Sequence, residues 1–193
     1  VPRHVVPQAD LLKGGSVTKV NYYDPEAPVV REFQGQWRFL SNFWWSKVAL
    51  DGVEYPTVEH AYQAAKNQSA EYRSRILACS SPHDAKRISR FTNVRRDWDE
   101  ATRLSVMEDL VRQKFSHQHL REMLMTTGDM KLEEGNRWND TFWGKCGGRG
   151  ENHLGRIIMR IRKEIVDAKL PRGQRSRGSE EQEARLQKPE QGS

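Results

Sequence analysis

The sequence predicts one α+β domain, predominantly helical, with a small β-sheet. Three observations lead there. Five segments show apolar residues at helical spacing or open on a helix-starting residue, whereas only three short segments read as strands. The length, 193 residues, suits one compact core. Both ends lack sustained apolar periodicity, so the core must lie between them.

In chain order, residues 1–28 read as a flexible N-terminal arm, with Val17 to Tyr23 able to add an edge strand. The folded domain is expected over residues 29–170. Val29–Phe33, Lys47–Leu50 and Val53–Tyr55 read as strands, the last two joined by the Asp51-Gly52 hairpin signal. Thr57 can cap a helix running to Gln68. Ser81-Pro82 opens another, with proline where its missing N–H costs nothing. Leu104, Met107, Leu110, Val111 and Phe115 mark a helix over Asp97–Phe115, and His117–Met125 gives one more. Asn152 is the expected cap of a final helix to Ala168, whose apolar side is Leu154, Ile157, Ile158, Ile161 and Ile165. Residues 171–193, rich in Arg, Gly, Gln and Glu, have almost nothing to bury and are expected to be disordered.

The formal charge is +6, and residues 171–193 contribute only +1 (five basic, four acidic), so the excess sits in the folded part. It suits an anionic ligand, or simply solubility. The two cysteines, Cys79 and Cys146, form no C-x-x-C pair, and no zinc ligand set stands out. Free thiols, no metal and no cofactor are expected. No apolar run reaches membrane-spanning length and no signal peptide opens the chain, so an intracellular protein with no membrane partner is expected.

The most informative stretch is Pro56 to Lys66. On a helix, Glu59, Gln63 and Lys66 fall on one narrow stripe bordered by Tyr62, with Val58, Ala61 and Ala65 on the other side. A plain amphipathic surface helix has the same pattern. Against that, Glu59 and Lys66 are too far apart for an i,i+4 pair, about 10 Å along the axis. Lys66 leans back toward Glu59 over Gln63. A ligand fits between the two charges.

Five ordered motifs then carry a resemblance. They are Arg38-Phe39-Leu40-Ser41-Asn42-Phe43; Tyr55 to Lys66; Asp97-Trp98 followed by Met107 and Lys114-Phe115; Leu132 to Gly144, ending Asp140-Thr141-Phe142-Trp143-Gly144; and Gly150 to Gly155 with Met159 and Arg162. Together they resemble the NADAR (YbiA-like) family over about two thirds of the chain. Ser89 departs from the family pattern, which has glycine there, and is expected to alter only a local turn. The resemblance implies an α+β fold and hydrolysis of an N-glycosidic bond. The substrate would be ADP-ribosylated guanine, in nucleic acid or as a nucleotide, or a phosphoribosylamino-pyrimidine of riboflavin synthesis. A non-catalytic ADP-ribose-binding module is the alternative of another class, against which an intact Glu59 and Lys66 argue.

Both substrates join ribose C1 to an exocyclic amine, which lets the sugar open to an imine that a lysine can attack. That chemistry needs an amine of lowered pKa and a carboxyl to move protons. The expected catalytic residues are therefore Lys66 as nucleophile, Glu59 as general acid/base and Asp140 as second carboxylate. Direct attack of water, with Lys66 only binding phosphate, is the alternative. Expected ligand contacts are Trp98 and Trp143 for base stacking, Gly144 for close backbone approach, and Arg38 for phosphate. Ser41, Asn42, Phe43, Tyr62, Gln63 and Asn136 complete the set. Trp37, Trp44, Trp45 and Trp138 are left to packing or the rim.

Deleting residues 171–193 should leave turnover and Tm nearly unchanged, since the segment has little to bury. A Tm loss of several degrees in a thermal melt would show that the tail docks.

Overall fold

The computed structural model describes residues 28–169. Residues 1–27, with the optional strand Val17–Tyr23, and the expected C-terminal tail lie outside the described residues. Within them the chain folds as the expected mostly helical α+β domain. The expected single small sheet is instead three separate two-stranded ladders.

Strand β1 (Val29–Val30) is shorter than expected. Only these two residues find a parallel partner, in β4 (Lys131–Leu132), before the chain turns into a 3-10 helix, Gly35–Leu40. β2 (Trp45–Leu50) and β3 (Val53–Thr57) form the antiparallel hairpin. Its turn residues Asp51 and Gly52 both take positive φ, 50° and 78°, matching the twist of the two strands. β5 (Gly135–Asn136) and β6 (Lys145–Cys146) pair in parallel.

The helices follow their caps. Thr57 accepts from the His60 N–H and starts α1 (Val58–Ala65), and Ser81 does the same through Asp84 for α3 (Pro82–Ser89). Between them α2 (Ala70–Leu77), capped by Ser69, is an addition. It buries only Tyr72 and Ile76, too few apolar residues to register as a period. α4 (Glu100–Ser116) begins later than expected because Asp99 is its cap, while Asp97 pairs with Arg95. α5 (Gln118–Met125) and α6 (His153–Ala168) complete the set.

The core joins Met107, Leu110, Val111 and Phe115 of α4 to Leu154, Ile157, Ile158 and Ile161 of α6, with Leu120, Leu124 and Leu132 closing it. Each such burial stabilises by roughly 1.5–3 kcal/mol before entropy is charged. Arg162 is also buried, its guanidinium donating to Thr127 Oγ1 at 2.6 Å and to the Met130 carbonyl at 2.8 Å. The two cysteines are free.

Asn152 corrects an expectation. It occupies the cap position of α6 in the left-handed region, φ 55°, but its side chain caps nothing. Instead its amide donates to the Leu132 carbonyl at 2.9 Å and accepts from the Glu134 N–H at 3.0 Å, clamping α6 to the β4–β5 segment. Asn152→Ala removes both bonds and leaves alanine in a left-handed backbone. A cost of about 2–4 kcal/mol is expected, a Tm fall of roughly 5–15 °C by calorimetry. A fall under about 2 °C would show the clamp to be dispensable.

Candidate active site

α1 is buried on every side, all eight residues included. That rules out the surface-helix reading of the Glu59–Gln63–Lys66 stripe. The Asn42 carbonyl accepts the Glu59 N–H at 3.1 Å, so the Ser41–Phe43 turn sits directly on the start of α1. Glu59 is 6% exposed, and its carboxylate accepts from the Gln63 amide at 2.7 Å. Lys66 follows as the helical C-cap and is half-buried.

Burial raises the Glu59 pKa, against the opposing pull of Lys86, the Gln63 hydrogen bond and Lys66, while Asp140 adds to the rise. Burial likewise lowers the Lys66 pKa. Glu59 opposes that fall, and Lys86 and Arg103 reinforce it. Glu59 and Lys66 thus feel each other's charge, yet no salt bridge within 4.0 Å joins them. Mutual attraction favours the charged forms and burial the neutral ones, and burial is the larger effect at both.

An aromatic wall stands beside this pair. The Tyr62 ring lies 5.4 Å from that of Trp98 and 5.5 Å from that of Trp143, with Lys66 Nζ 5.7 Å from its centre. Burial pushes the Tyr62 phenol up to about 12, despite Arg103 beside it. Arg103 itself stacks on Phe142 at 3.9 Å. Glu59, Lys66, Asp140, Tyr62, Gln63, Trp98 and Trp143 are therefore brought into one neighbourhood. Phe43 joins it, its ring 4.7 Å from His83 and 5.9 Å from Lys86 Nζ.

Other expected residues take different parts. Asn136 spends its amide on the Asp140 backbone, donating to its carbonyl at 2.7 Å and accepting its N–H at 3.0 Å. Asp140 in turn accepts the Trp143 N–H at 2.9 Å, so Asn136 shapes the loop that presents Asp140 and Trp143. Gly144 is required by protein, where a ligand was expected: a Cβ there would lie 2.0 Å from the Glu134 carbonyl oxygen. The Ser41 hydroxyl accepts from the Phe43 N–H, a local turn bond. Asn42 donates to the Met107 sulfur at 3.3 Å, and its carbonyl oxygen Oδ1 has no partner. Arg38 stays exposed on the 3-10 helix and is not among the charges acting on Glu59 or Lys66. Of the four tryptophans set aside, Trp45 and Trp138 are 62% and 64% exposed, and Trp37 and Trp44 pack partly against the core. The Ser89 hydroxyl bonds to the Lys86 carbonyl at the end of α3.

Four charged residues escaped the sequence reading. Lys86, on α3, lies 5.9 Å from the Trp138 ring and acts on both Glu59 and Lys66. Arg103 acts on Lys66 and Tyr62 from α4. Glu134 keeps some contact with solvent, but protein closely surrounds its carboxyl. Burial pushes it up to about 8, with Asp140 and Glu59 adding and Lys86 and Lys114 opposing. Lys114 is wholly buried, and its Nζ donates to the Ser41 carbonyl at 2.7 Å. Burial lowers it to about 7, against the pull of Glu134. Lys86 follows Asp84 at no helical spacing from Glu59, and Glu134 reads as one of a surface Glu-Glu pair. Two of the four lie in stretches noted among the motifs, Lys114 in the doublet Lys114-Phe115 and Glu134 in Leu132 to Gly144, and that was the signal available. Among the described residues no three His, Cys, Asp or Glu side chains gather as a metal site.

The fold and this cluster define a small α+β enzyme domain, in which one buried helix carries a carboxyl and an amine beside an aromatic wall. The chain belongs to the NADAR family: residues 30–166 match the NADAR domain. It is 38% identical over 131 residues to the N-glycosidase YbiA of Escherichia coli (strain K12), covering 66% of this chain and 81% of that protein. To an N-glycosidase of Nostoc punctiforme it is 38% identical over 134 residues, covering 65% and 84%. A riboflavin biosynthesis protein of Vibrio vulnificus (strain YJ016) is 37% identical over 133 residues, 67% of this chain. The chain spans only 36% of that protein's length. The NMR structure of Escherichia coli YbiA superposes with a TM-score of 0.65 at 34% identity, covering 74% of this chain and 88% of that one. No helix among the described residues is long and apolar enough to cross a membrane.

The raised Glu134 carboxyl makes a signed prediction. Its folded pKa, about 8, lies above the usual carboxylate range. The stability it contributes is full below about pH 4.5 and is lost as pH rises through about 8, because only the unfolded state gives up its proton early. Glu134→Gln has no such dependence. Its Tm relative to the unaltered protein should rise steadily between pH 5 and pH 8, as melts in a buffer series would read. A constant difference across that range would show that Glu134 does not hold its proton.

Proposed function

We propose that this chain is an N-glycosidase that cleaves the bond between ribose C1 and an exocyclic amine nitrogen, most simply removing ADP-ribose from guanine in nucleic acid or nucleotide. The observation that carries the reading is the Lys66–Glu59 arrangement: an amine biased toward losing its proton beside a carboxyl biased toward keeping one. A surface ion pair would have both groups charged. Imine exchange at a glycosylamine needs the reverse.

In the first step the substrate nitrogen lends its lone pair to C1, the C1–ring-oxygen bond breaks, and Glu59 gives its proton to that oxygen. Neutral Lys66 adds to the C1=N carbon. A proton passes from the lysine nitrogen to the substrate nitrogen, with a carboxylate as carrier. The base leaves as the free amine, and the lysine imine remains. Water adds to that imine and gives its proton to the Glu59 carboxylate, restoring it, after which Lys66 departs as the neutral amine and the sugar is released as the aldehyde, which closes to the hemiacetal. Asp140 would share the proton transfers, since it already acts on Glu59. Trp98 and Trp143 would receive the base, stacking being worth about 1–3 kcal/mol per base. The unpartnered side-chain amide oxygens, Asn42 Oδ1 and Gln63 Oε1, suit the hydroxyls of a sugar.

A second reading keeps the same chemistry on phosphoribosylamino-pyrimidines. The name of the Vibrio vulnificus relative, a riboflavin biosynthesis protein, favours it. Sugar release from ADP-ribosyl-guanosine and from the phosphoribosylamino-pyrimidine, measured side by side, ranks the two.

Borohydride added during turnover should reduce the imine to a stable adduct, and peptide mapping should find the added mass on Lys66. Lys66→Arg should abolish turnover and trapping, since arginine stays protonated. Glu59→Gln should slow turnover by about 10²–10⁴-fold with ligand binding largely kept. Activity should fall at low pH as Lys66 takes up its proton. A Lys66→Arg protein with much of its rate and no adduct would leave water as the nucleophile, and an adduct on Lys86 would move the role to that residue.

A further inference from the structure

From Lys86 to Arg96 the chain holds five basic residues and no acidic one. Two of the five are neutralised, Arg87 by Asp84 and Arg95 by Asp97. Arg90 and Arg96 are exposed and, among the described residues, their side chains make no hydrogen bond or ion pair. Between them Phe91 is 88% exposed and Val94 48%, the largest apolar exposure on the described surface being that of Phe91. A phenylalanine left in water, preceded by one unpaired arginine and followed five residues on by another, fits no packing role.

The segment is held in place. The Arg95 N–H donates to the Lys66 carbonyl at 2.8 Å, and the Asn67 amide donates to Thr92 Oγ1 at 3.1 Å and to the Asn93 carbonyl at 3.0 Å. These bonds tie it to the end of the helix that carries Lys66. Beside it lies an open hollow of about 450 Å³ lined by Asn67, Gln68, Ser69, Asn93, Arg95 and Arg96, together with the neutralised Asp97.

We propose that this face, Arg90-Phe91 through Arg96, is a docking surface for a single strand of nucleic acid that leads its modified base to Lys66. Phe91 offers a flat apolar ring on which an unstacked base can lie, whatever its identity. Arg90 and Arg96 flank it as phosphate partners. A duplex fits less well, because a paired base presents no free face to Phe91, and a target must leave its stack to reach a buried lysine. A second copy of this chain would bring the same unpaired arginines against each other. The proposal rests on the nucleic-acid form of the function proposed above and assigns the strand its path.

The test is fluorescence anisotropy of the full chain with an unmodified labelled single strand of about a dozen nucleotides, over a salt series. Phe91→Ala should bind about 5- to 100-fold more weakly. The double variant Arg90→Ser, Arg96→Ser should reduce the slope of log K against log salt by about 1.4, some 0.7 for each phosphate that no longer meets an arginine. Release of guanosine from the small substrate ADP-ribosyl-guanosine should be unchanged in both. Strand binding that is absent, or equal in Phe91→Ala, would overturn the proposal. So would light scattering showing a dimer that Phe91→Ala dissociates, since the face would then belong to a second copy. Binding is read without turnover, so the two failures separate. An inert protein that still binds through Phe91 loses only the glycosidase reading, and an active one indifferent to Phe91 loses only this one.

Discussion

A helix buried on all sides that still carries Glu59, His60 and Gln63 is the constraint on which the rest of this structure depends. Burying polar groups without partners costs several kcal/mol each, so the surroundings must answer them. Gln63 donates to Glu59, Thr57 meets His60 Nδ1 at 2.8 Å, and the Cys79 carbonyl meets its Nε2 at 3.3 Å. The Tyr72 hydroxyl donates to the Gln63 carbonyl, which accounts for α2 despite its polar sequence. The β2–β3 hairpin, α2, α3 and α4 all pack on α1. The domain is thus arranged around this one buried helix.

Burial also organises the charges. Glu59, Glu134 and Asp140 lie in one region with Lys66, Lys86, Lys114 and Arg103, and no salt bridge within 4.0 Å joins any two of them. Desolvation dominates at each perturbed member, so the carboxyls rise and the lysines fall. Glu134, pushed up to about 8, and Lys114, brought down to about 7, come closest to neutrality among them. Lys114 shows how far this reaches. Its amine bonds to the Ser41 carbonyl, and the same turn holds the Glu59 N–H, the second of α1, through the Asn42 carbonyl. A charge on α4 is thereby coupled to the position of Glu59.

What the sequence made legible was local. Thr57 and Ser81 read as caps and are caps; Asp51-Gly52 reads as a hairpin turn and is one. The apolar period of α6 names its buried face. The stripe on α1 was legible too, but not its burial: alanine opposite Glu and Lys describes a surface helix equally well. What stayed hidden depended on distant partners. Glu134 looks like half of a surface pair until Asn152 and Lys145 fix its backbone from either side. Gly144 and Asn136 carry the right residue types for ligand contact, yet the close approach and hydrogen bonds they make are to Glu134 and Asp140. Residues of a site and residues that hold it share a motif, and only the fold separates them.

Among the described residues two buried acceptors, Asn42 Oδ1 and Gln63 Oε1, remain without a donor. Leaving such a group unpaired costs about 1–3 kcal/mol, and both belong to side chains already anchored beside Glu59. Asn42 is fixed by the Met107 sulfur and by its carbonyl bond to the Glu59 N–H. Gln63 is fixed by Glu59 itself. A primary amide has one feature that suits this place: it can donate to an ionised carboxylate through its nitrogen, or accept from a protonated carboxyl through its oxygen. Gln63 can therefore follow the Glu59 proton through a half-turn of its amide, and a glutamate or a leucine there could not. Buried polar groups in native folds are nearly always hydrogen-bonded, so two exceptions side by side call for a specific explanation. On the function proposed above, a ligand rich in hydroxyls placed between Asn42 and Gln63 would supply the missing donors and lie against the Glu59 carboxyl.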